Sequence, residues 1–154
     1  MTASRDESGA PRAPLFRVVH CSDVHLDTPF PCADEGTRTR LQQAARTTFT
    51  RLVDLCLAEQ VAALLVAGDL FDDERLSLAS EEWMCAQLAR LTQAGVTVVL
   101  ACGNHDSATP GGRMSSISFP DGVHVAGSEP LSVDVRDGEG RLLGRVCAAG
   151  HGSS

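Results

Sequence analysis

Three apolar, β-branched runs separated by two stretches with helical periodicity constrain the fold of this chain more than any other feature. The runs are FRVVHCSDVH (16–25), VAALLVAGD (61–69) and VTVVLACGNHD (96–106), and each predicts a buried strand that ends in polar residues. A strand, helix, strand, helix, strand order requires crossover connections, which are right-handed and give a parallel sheet. The sequence therefore predicts an α/β fold in which three strands have their carboxyl ends at one edge.

The two intervening stretches have apolar residues at the spacing of one helix face. On the first stretch these residues are Leu41, Ala45, Phe49, Leu52 and Cys56. On the second stretch they are Met84, Leu88 and Leu91, and Gly95 is placed to end the helix. After residue 106 a loop rich in Gly, Ser and Pro leads to three short runs, which predict antiparallel strands joined by turns. These runs are VHVAG, LSVDVRD and RLLGRVCAAG.

Composition limits the class of protein. A length of 154 residues suits one domain on the usual scale of roughly 100–200 residues, and residues 1–14 predict a disordered tail. The net charge of -7 argues against a chain that binds a polyanion through its overall field. No apolar run approaches the roughly 18 residues that cross a bilayer, and the start has no secretory signal. Six cysteines without a C-x-x-C motif predict reduced, mostly buried thiols and a cytoplasmic location.

Polar side chains follow each predicted strand, and they are expected to converge at the carboxyl edge of the sheet. These residues are Asp23, His25, Asp69, Asp72, Asn104 and His105. Two positions apart in an extended segment, Asp23 and His25 face the same side. Carboxylate, imidazole and amide ligands together suit manganese, iron or zinc better than calcium, and we favour manganese or iron. Divalent ions would also relieve the repulsion among the clustered carboxylates.

Each of these residues taken alone has a structural explanation, because an Asp after a strand is commonly a helix cap or a turn former. The joint occurrence of D-x-H, G-D-x-x-D and G-N-H-D after successive strands favours a metal site. Asp27, Asp73 and Glu74 are interpreted as solvated or capping residues.

The motifs HCSDVHLDTPF, GDLFD and GNHDS resemble the first three motifs of the calcineurin-like metallophosphoesterases. H-L-D-x-P-F after the D-x-H pair is similar to the DNA repair exonuclease branch, the SbcD-type nucleases. The resemblance covers residues 16 to 107 and, more loosely, the strands beyond. It implies a layered α/β/β/α metallophosphoesterase fold with two divalent metal ions, usually manganese in the nucleases, and it makes residues 15–154 the amino-terminal part of such a domain.

The resemblance also implies roles for individual residues. Asp23 and His25 would bind the first ion, Asp69 would bridge both ions, and Asn104 would bind the second ion. His105 would face the scissile phosphate as general acid or as a positive partner for the developing charge, and Asp72 would orient a ligand histidine. The implied reaction is metal-assisted hydrolysis of a phosphodiester, in which a hydroxide held between the ions attacks phosphorus in line.

The sequence departs from the family after G-N-H-D. Three further histidine ligands are expected there, one alone and two in a G-H-x-H-like motif, whereas this chain has only His124 and His151 in other contexts. We interpret His124 as a strand residue, and we expect His151 to lie on a frayed terminus and not to bind metal. The first ion would have three protein ligands and the second only two, both counts including Asp69. The sequence therefore predicts the amino-terminal piece of a longer phosphoesterase, with an incomplete second sheet and an activity that is open to question.

Three functional interpretations follow. The leading one is a nuclease that acts on DNA ends with an SMC-like ATPase partner. The second keeps the enzyme class and changes the substrate to a nucleotide, a cyclic nucleotide or a phosphoprotein. The third is a non-catalytic remnant that binds metal weakly or serves as an interaction module.

Overall fold

The computed structural model describes residues 16–72, 76–108 and 112–151. The predicted tail at residues 1–14 lies outside these ranges, as do Asp73 and Glu74. In chain order the elements are β1 (Val18–Cys21), α1 (Glu35–Ala58), β2 (Ala63–Ala67), α2 (Leu78–Gln93), β3 (Thr97–Ala101), α3 (Arg113–Ser116), β4 (Val123–Ala126), β5 (Leu131–Arg136) and β6 (Leu142–Ala148).

Strands β1 to β4 form one sheet in the order β1-β2-β3-β4, and every pairing in it is parallel. The predicted parallel arrangement of the first three strands is confirmed. The prediction for β4 is wrong, because this strand was expected to be antiparallel and it pairs in parallel with β3. Val123 and Val125 pack against the core on the helix side, and this alternation reports which face is buried but not the direction of the strand.

Both long helices pack on the core side of this sheet. Their fully or almost fully buried apolar side chains are Phe49, Val53 and Cys56 on α1 and Met84, Leu88 and Leu91 on α2. The stripe predicted for α2 is confirmed, and Gly95 follows the helix with a φ of +82°. The stripe predicted for α1 is correct only in its second half, because Leu41 is 41% exposed. Leu41 lines a surface groove with Phe30 and Pro31 instead of entering the core.

Strands β5 and β6 form a separate antiparallel pair, as predicted. Asp134 lies opposite Arg145, whose Nε is 2.7 Å from the carboxylate. β5 contacts β3 and β4 and buries Val133 and Val135. The described residues therefore form a mixed α/β fold, with a helix-covered parallel sheet and a second small sheet, consistent with the predicted metallophosphoesterase fold.

Two further predictions concern membranes and thiols. Within the described ranges, no helix has the length and apolar character needed to span a bilayer. All six cysteines are free thiols, as expected. The expectation that most of them are buried is wrong: Cys56 and Cys102 are buried, whereas Cys32 and Cys147 are exposed on loop and edge-strand positions.

Candidate metal centre

The loops that follow β1 and β2 are hydrogen-bonded to each other at the carboxyl edge of the sheet. The backbone N–H of Asp23 donates to Gly68 O at 3.2 Å, and the N–H of His25 donates to Asp69 O at 3.0 Å. The N–H of Leu26 donates to the oxygen of Leu70 at 3.0 Å. These bonds continue the pairing of β1 with β2 beyond the strands, so the D-x-H loop has a fixed register against the G-D loop.

Three of the predicted ligands have left-handed backbone conformations. The φ angles are 54° for Asp23, 47° for His25 and 54° for Asp69. A residue with a Cβ adopts this region at a cost of about 1–2 kcal/mol, and such residues cluster at functional sites. The neighbouring Gly68, at a φ of +82°, has no such cost. At this edge the unfavourable backbone conformations of Asp23, His25 and Asp69 set the directions of their side chains.

Asp23, His25 and Asp69 come together as predicted, but the expected extended segment is wrong: Asp23 and His25 lie beyond β1 and have left-handed backbones. Each offers a ligand atom, and these atoms lie within 4.8 Å of one another. Nε2 of His25 is 4.0 Å from Asp23 Oδ1 and 3.9 Å from Asp69 Oδ2. This spacing is short enough for one cation to contact all three side chains.

Asp72 fixes the orientation of His25. Its Oδ1 lies 2.7 Å from His25 Nδ1, and its Oδ2 accepts a hydrogen bond from Thr28 Oγ1 at 2.8 Å. Burial favours a raised pKa for Asp72, but the hydrogen bonds from His25 and Thr28 outweigh it and hold this pKa below its usual value. An ionised carboxylate only accepts hydrogen bonds, so Nδ1 carries a proton, and Nε2 is the ring nitrogen that faces Asp23 and Asp69.

His105 lies beside the same carboxylate. Its Nδ1 is 3.3 Å from Asp72 Oδ1, and its ring meets the ring of His25 edge-on at a centroid distance of 5.2 Å. The backbone N–H of His105 donates to Asp69 Oδ1 at 3.0 Å. About half of the His105 side chain is exposed, so a substrate can reach it. Asn104 precedes it and is exposed at the same edge.

Asp106 is a site residue that sequence reasoning missed. It is 2% exposed, and its carboxylate accepts hydrogen bonds from the backbone N–H groups of Leu70 at 2.6 Å, Gly103 at 2.5 Å and Asp69 at 3.3 Å. It thereby ties the loop after β2 to the loop after β3. The contact is so close that a Cβ on Gly103 would lie 2.6 Å from Asp69 N. The available signal was the acidic residue that ends the G-N-H-D motif, in the loop after an apolar strand.

The donor set fits a divalent cation. Within the described ranges, Asp23, Asp69 and Asp72 have histidines but no arginine among their ion-pair partners. Clustered carboxylates without a compensating cation repel one another, and a metal ion among them removes that cost. Oxygen and imidazole donors together suit manganese, iron or zinc.

The remaining candidates have different outcomes. Asp27 is neither solvated nor a helix cap: its side chain is only 11% exposed, and it accepts a hydrogen bond from the N–H of Ser77, which is itself the N-cap of α2. His124 is a strand residue of β4, as expected, and lies opposite Val99. The expectation of a frayed His151 is wrong, because its N–H donates to the oxygen of Cys102.

Fold and site together define a class of protein, and comparison with known families agrees with it. The sequence pattern of the family described as calcineurin-like phosphoesterase matches residues 16–151. The chain belongs to this family.

The chain is also similar to individual proteins of this family, among them nucleases. The chain is 33% identical over 113 residues to the uncharacterized metallophosphoesterase YhaO of Bacillus subtilis, covering 71% of this chain and 27% of the relative. It is 33% identical over 145 residues to a subunit of the nuclease SbcCD of Rhodobacter capsulatus, covering 86% of this chain and 34% of the relative. It is 35% identical over 92 residues to the DNA double-strand break repair protein Mre11 of Aeropyrum pernix, covering 59% of this chain and 21% of the relative. The chain thus spans about a fifth to a third of these relatives' length.

Proposed function

We propose that this chain carries the metal-binding core of a phosphodiester hydrolase. Membership of the calcineurin-like family, with nucleases among the relatives, supports a hydrolase that acts on phosphodiester bonds. The observation that carries the proposal is the position of His25 Nε2, which lies about 4 Å from the carboxylates of Asp23 and Asp69 while Asp72 holds the opposite ring nitrogen. This is the arrangement of a metal-binding histidine whose tautomer is fixed by a carboxylate.

The proposed division of labour assigns Asp23, His25 and Asp69 to the first ion, and Asp69 with Asn104 to the second. Bound divalent ions would neutralise phosphate oxygens and lower the pKa of the attacking water. Asp72 keeps the proton of His25 on Nδ1. His105, when protonated on both nitrogens, directs Nδ1 toward Asp72 and can donate the Nε2 proton to the departing oxygen.

The finer assignment is a manganese-dependent nuclease of the DNA repair type that acts on DNA ends with an SMC-like ATPase partner. The names of the relatives, which include a nuclease and a double-strand break repair protein, support it. So does the H-L-D-x-P-F motif. The net charge of -7 speaks against strong DNA binding by this chain alone. A cytoplasmic location remains a prediction.

Two substrates test the proposal. We expect the purified chain with manganese to hydrolyse bis(p-nitrophenyl) phosphate, and a nuclease also to degrade end-labelled duplex DNA. Asp69→Asn should abolish both reactions, whereas Asp121→Asn, at an exposed turn, should retain them. Turnover of the aryl diester alone would favour a small phosphodiester substrate. Absence of both turnover and manganese binding in the wild type would contradict the proposal and favour a non-catalytic remnant.

A further inference from the structure

One residue of the H-L-D-x-P-F motif has no part in the proposed reaction. Asp27 lies two positions after His25, and its side chain is 11% exposed. Its backbone is left-handed, with a φ of 60°, as are those of Asp23 and His25. A carboxylate that is largely buried in a strained loop needs compensating interactions.

Those interactions come from the two long helices. Oδ2 of Asp27 accepts hydrogen bonds from the N–H of Ser77 at 3.0 Å and from Ser77 Oγ at 2.9 Å, and it also accepts one from Ser80 Oγ. Ser77 is the N-cap of α2, and Ser80 is fully buried. Oδ1 accepts a hydrogen bond from Arg46 of α1 at 3.3 Å. One side chain therefore joins the D-x-H loop to both helices.

Arg46 distinguishes Asp27 from the predicted metal ligands. Its guanidinium also donates to Ser80 and lies 5.6 Å from the ring centroid of Trp83 on α2. The charge of Asp27 is thus neutralised within the protein, whereas Asp23 and Asp69 have no arginine partner in the described part of the chain. Because Arg46 already compensates its charge, Asp27 does not require a bound metal ion, and its hydrogen bonds can instead fix the position of the loop.

Two residues close to Asp27 in the same loop, His25 and Thr28, are bonded to the carboxylate of Asp72. His25 is bonded to one oxygen of Asp72 and Thr28 to the other. Gln42 of α1 donates to Thr28 O at 3.0 Å and gives the loop a second attachment to that helix. An anchor at position 27 therefore controls how both neighbours meet the Asp72 carboxylate.

We propose that Asp27 is a positioning residue of the candidate metal centre, and that its attachment to α1 and α2 keeps His25 and Thr28 in register with Asp72. The inference rests on the proposed function for the use of the site, but the contacts of Asp27 with α1 and α2 involve none of the proposed metal ligands. A change at position 27 should therefore alter the His25 ring even in the metal-free protein.

The first test is a long-range 1H–15N spectrum of the histidine rings, recorded without metal. Wild type should show one His25 ring signal set with a proton on Nδ1, and Asp27→Asn should show loss or broadening of this Nδ1–H signal. The control is Asp54→Asn, because Asp54 also joins α1 to α2 through an arginine, Arg90, at 2.6 Å but is exposed. It should leave the His25 signals unchanged. A folded Asp27→Asn protein with the wild-type His25 pattern would overturn the proposal.

The second test is calorimetric titration with manganese chloride. Asp27→Asn should raise the dissociation constant roughly tenfold, the low end of the range for outer partners of metal ligands, and Asp54→Asn should leave it unchanged. If Asp27→Asn does not fold, Ser80→Ala decides both tests, since it removes one donor to Asp27 and should shift both readouts in the same direction. Unchanged readouts in a folded Ser80→Ala protein would then refute the anchor. If wild type binds no manganese, the proposed function fails, while the ring spectra still decide the role of Asp27.

Discussion

Asp106 sets the relative position of two loops of the candidate metal centre. A single carboxylate with almost no solvent access accepts three backbone N–H groups, one of which belongs to Asp69. Hydrogen bonds to a charged acceptor are stronger than neutral ones, and buried N–H groups left without an acceptor are costly. Asp106 therefore supports the site without contacting a substrate.

Asp106→Asn should lower the free energy of unfolding by about 2 kcal/mol, because an amide replaces one accepting oxygen with a donor that faces N–H groups. Urea denaturation monitored by circular dichroism would measure the change. The exposed Asp121→Asn variant is the control and should stay within about 0.5 kcal/mol of wild type. Equal stability of Asp106→Asn and wild type would refute this role for Asp106.

The sequence could predict which residues at the strand ends are candidate metal ligands. It could not predict which residues fix the position of the loops that carry those ligands. Asp23, His25 and Asp69 stand at strand ends, where parallel topology brings side chains together. Asp27 and Asp106 stand beside them in the same motifs, yet their roles depend on which backbone N–H groups and serines lie within reach. That information exists only after the loops and helices have packed.

At the scale of elements, α2 is stabilised by a buried stripe that its sequence periodicity predicts. Leu88, in the middle of the helix, is completely buried, whereas Leu78 at its start is 65% exposed. Leu88→Ala should lower the free energy of unfolding by about 2–5 kcal/mol, since it removes buried methyl groups and leaves a cavity. Leu78→Ala, measured by the same urea titration, should change it by less than about 0.5 kcal/mol. Similar losses for both variants would contradict the placement of α2.

The start of α1 should respond to acid. Asp34 is its N-cap, and hydrogen bonds from the backbone N–H and hydroxyl of Thr37 hold the pKa of this carboxyl below its ordinary value of 3.8. A lowered folded-state pKa means that the ionised group stabilises the protein above pH 3.8 and loses this effect as the pH falls through the folded-state value.

Asp34→Ala should therefore lower the melting temperature at pH 7, and the difference from wild type should shrink below pH 3.8. Thermal unfolding at a series of pH values would measure both. A difference that stays constant down to pH 3 would show that the charge of Asp34 does not contribute to the cap.

Sequence periodicity predicted whether an element is a helix or a strand better than it predicted which elements that element packs or pairs with. The apolar-polar alternation of the β4 residues serves equally in a parallel or an antiparallel strand, so its pairing with β3 could not be read from the sequence. Along α1, Leu41 has the correct spacing but lies beside the loop at Phe30, outside the core. Tertiary contacts decide both cases.

At the scale of the whole molecule, the candidate metal centre depends on parallel topology. The sheet places the carboxyl ends of β1, β2 and β3 at one edge. The loops after these strands bring together three carboxylates and two imidazoles, with no arginine among their ion-pair partners in the described ranges. With a net charge of -7, the protein as a whole does not attract anions. A phosphate ester would therefore need local positive charge at this edge, which bound divalent ions would supply.

Anomalous diffraction at the manganese absorption edge, from crystals grown with manganese chloride, tests the central claim most directly. We expect a peak in contact with His25 Nε2 and the carboxylates of Asp23 and Asp69, with any second peak lying between Asp69 and Asn104. Ordered side chains at this edge without an anomalous peak, in crystals that contain manganese, would contradict the account.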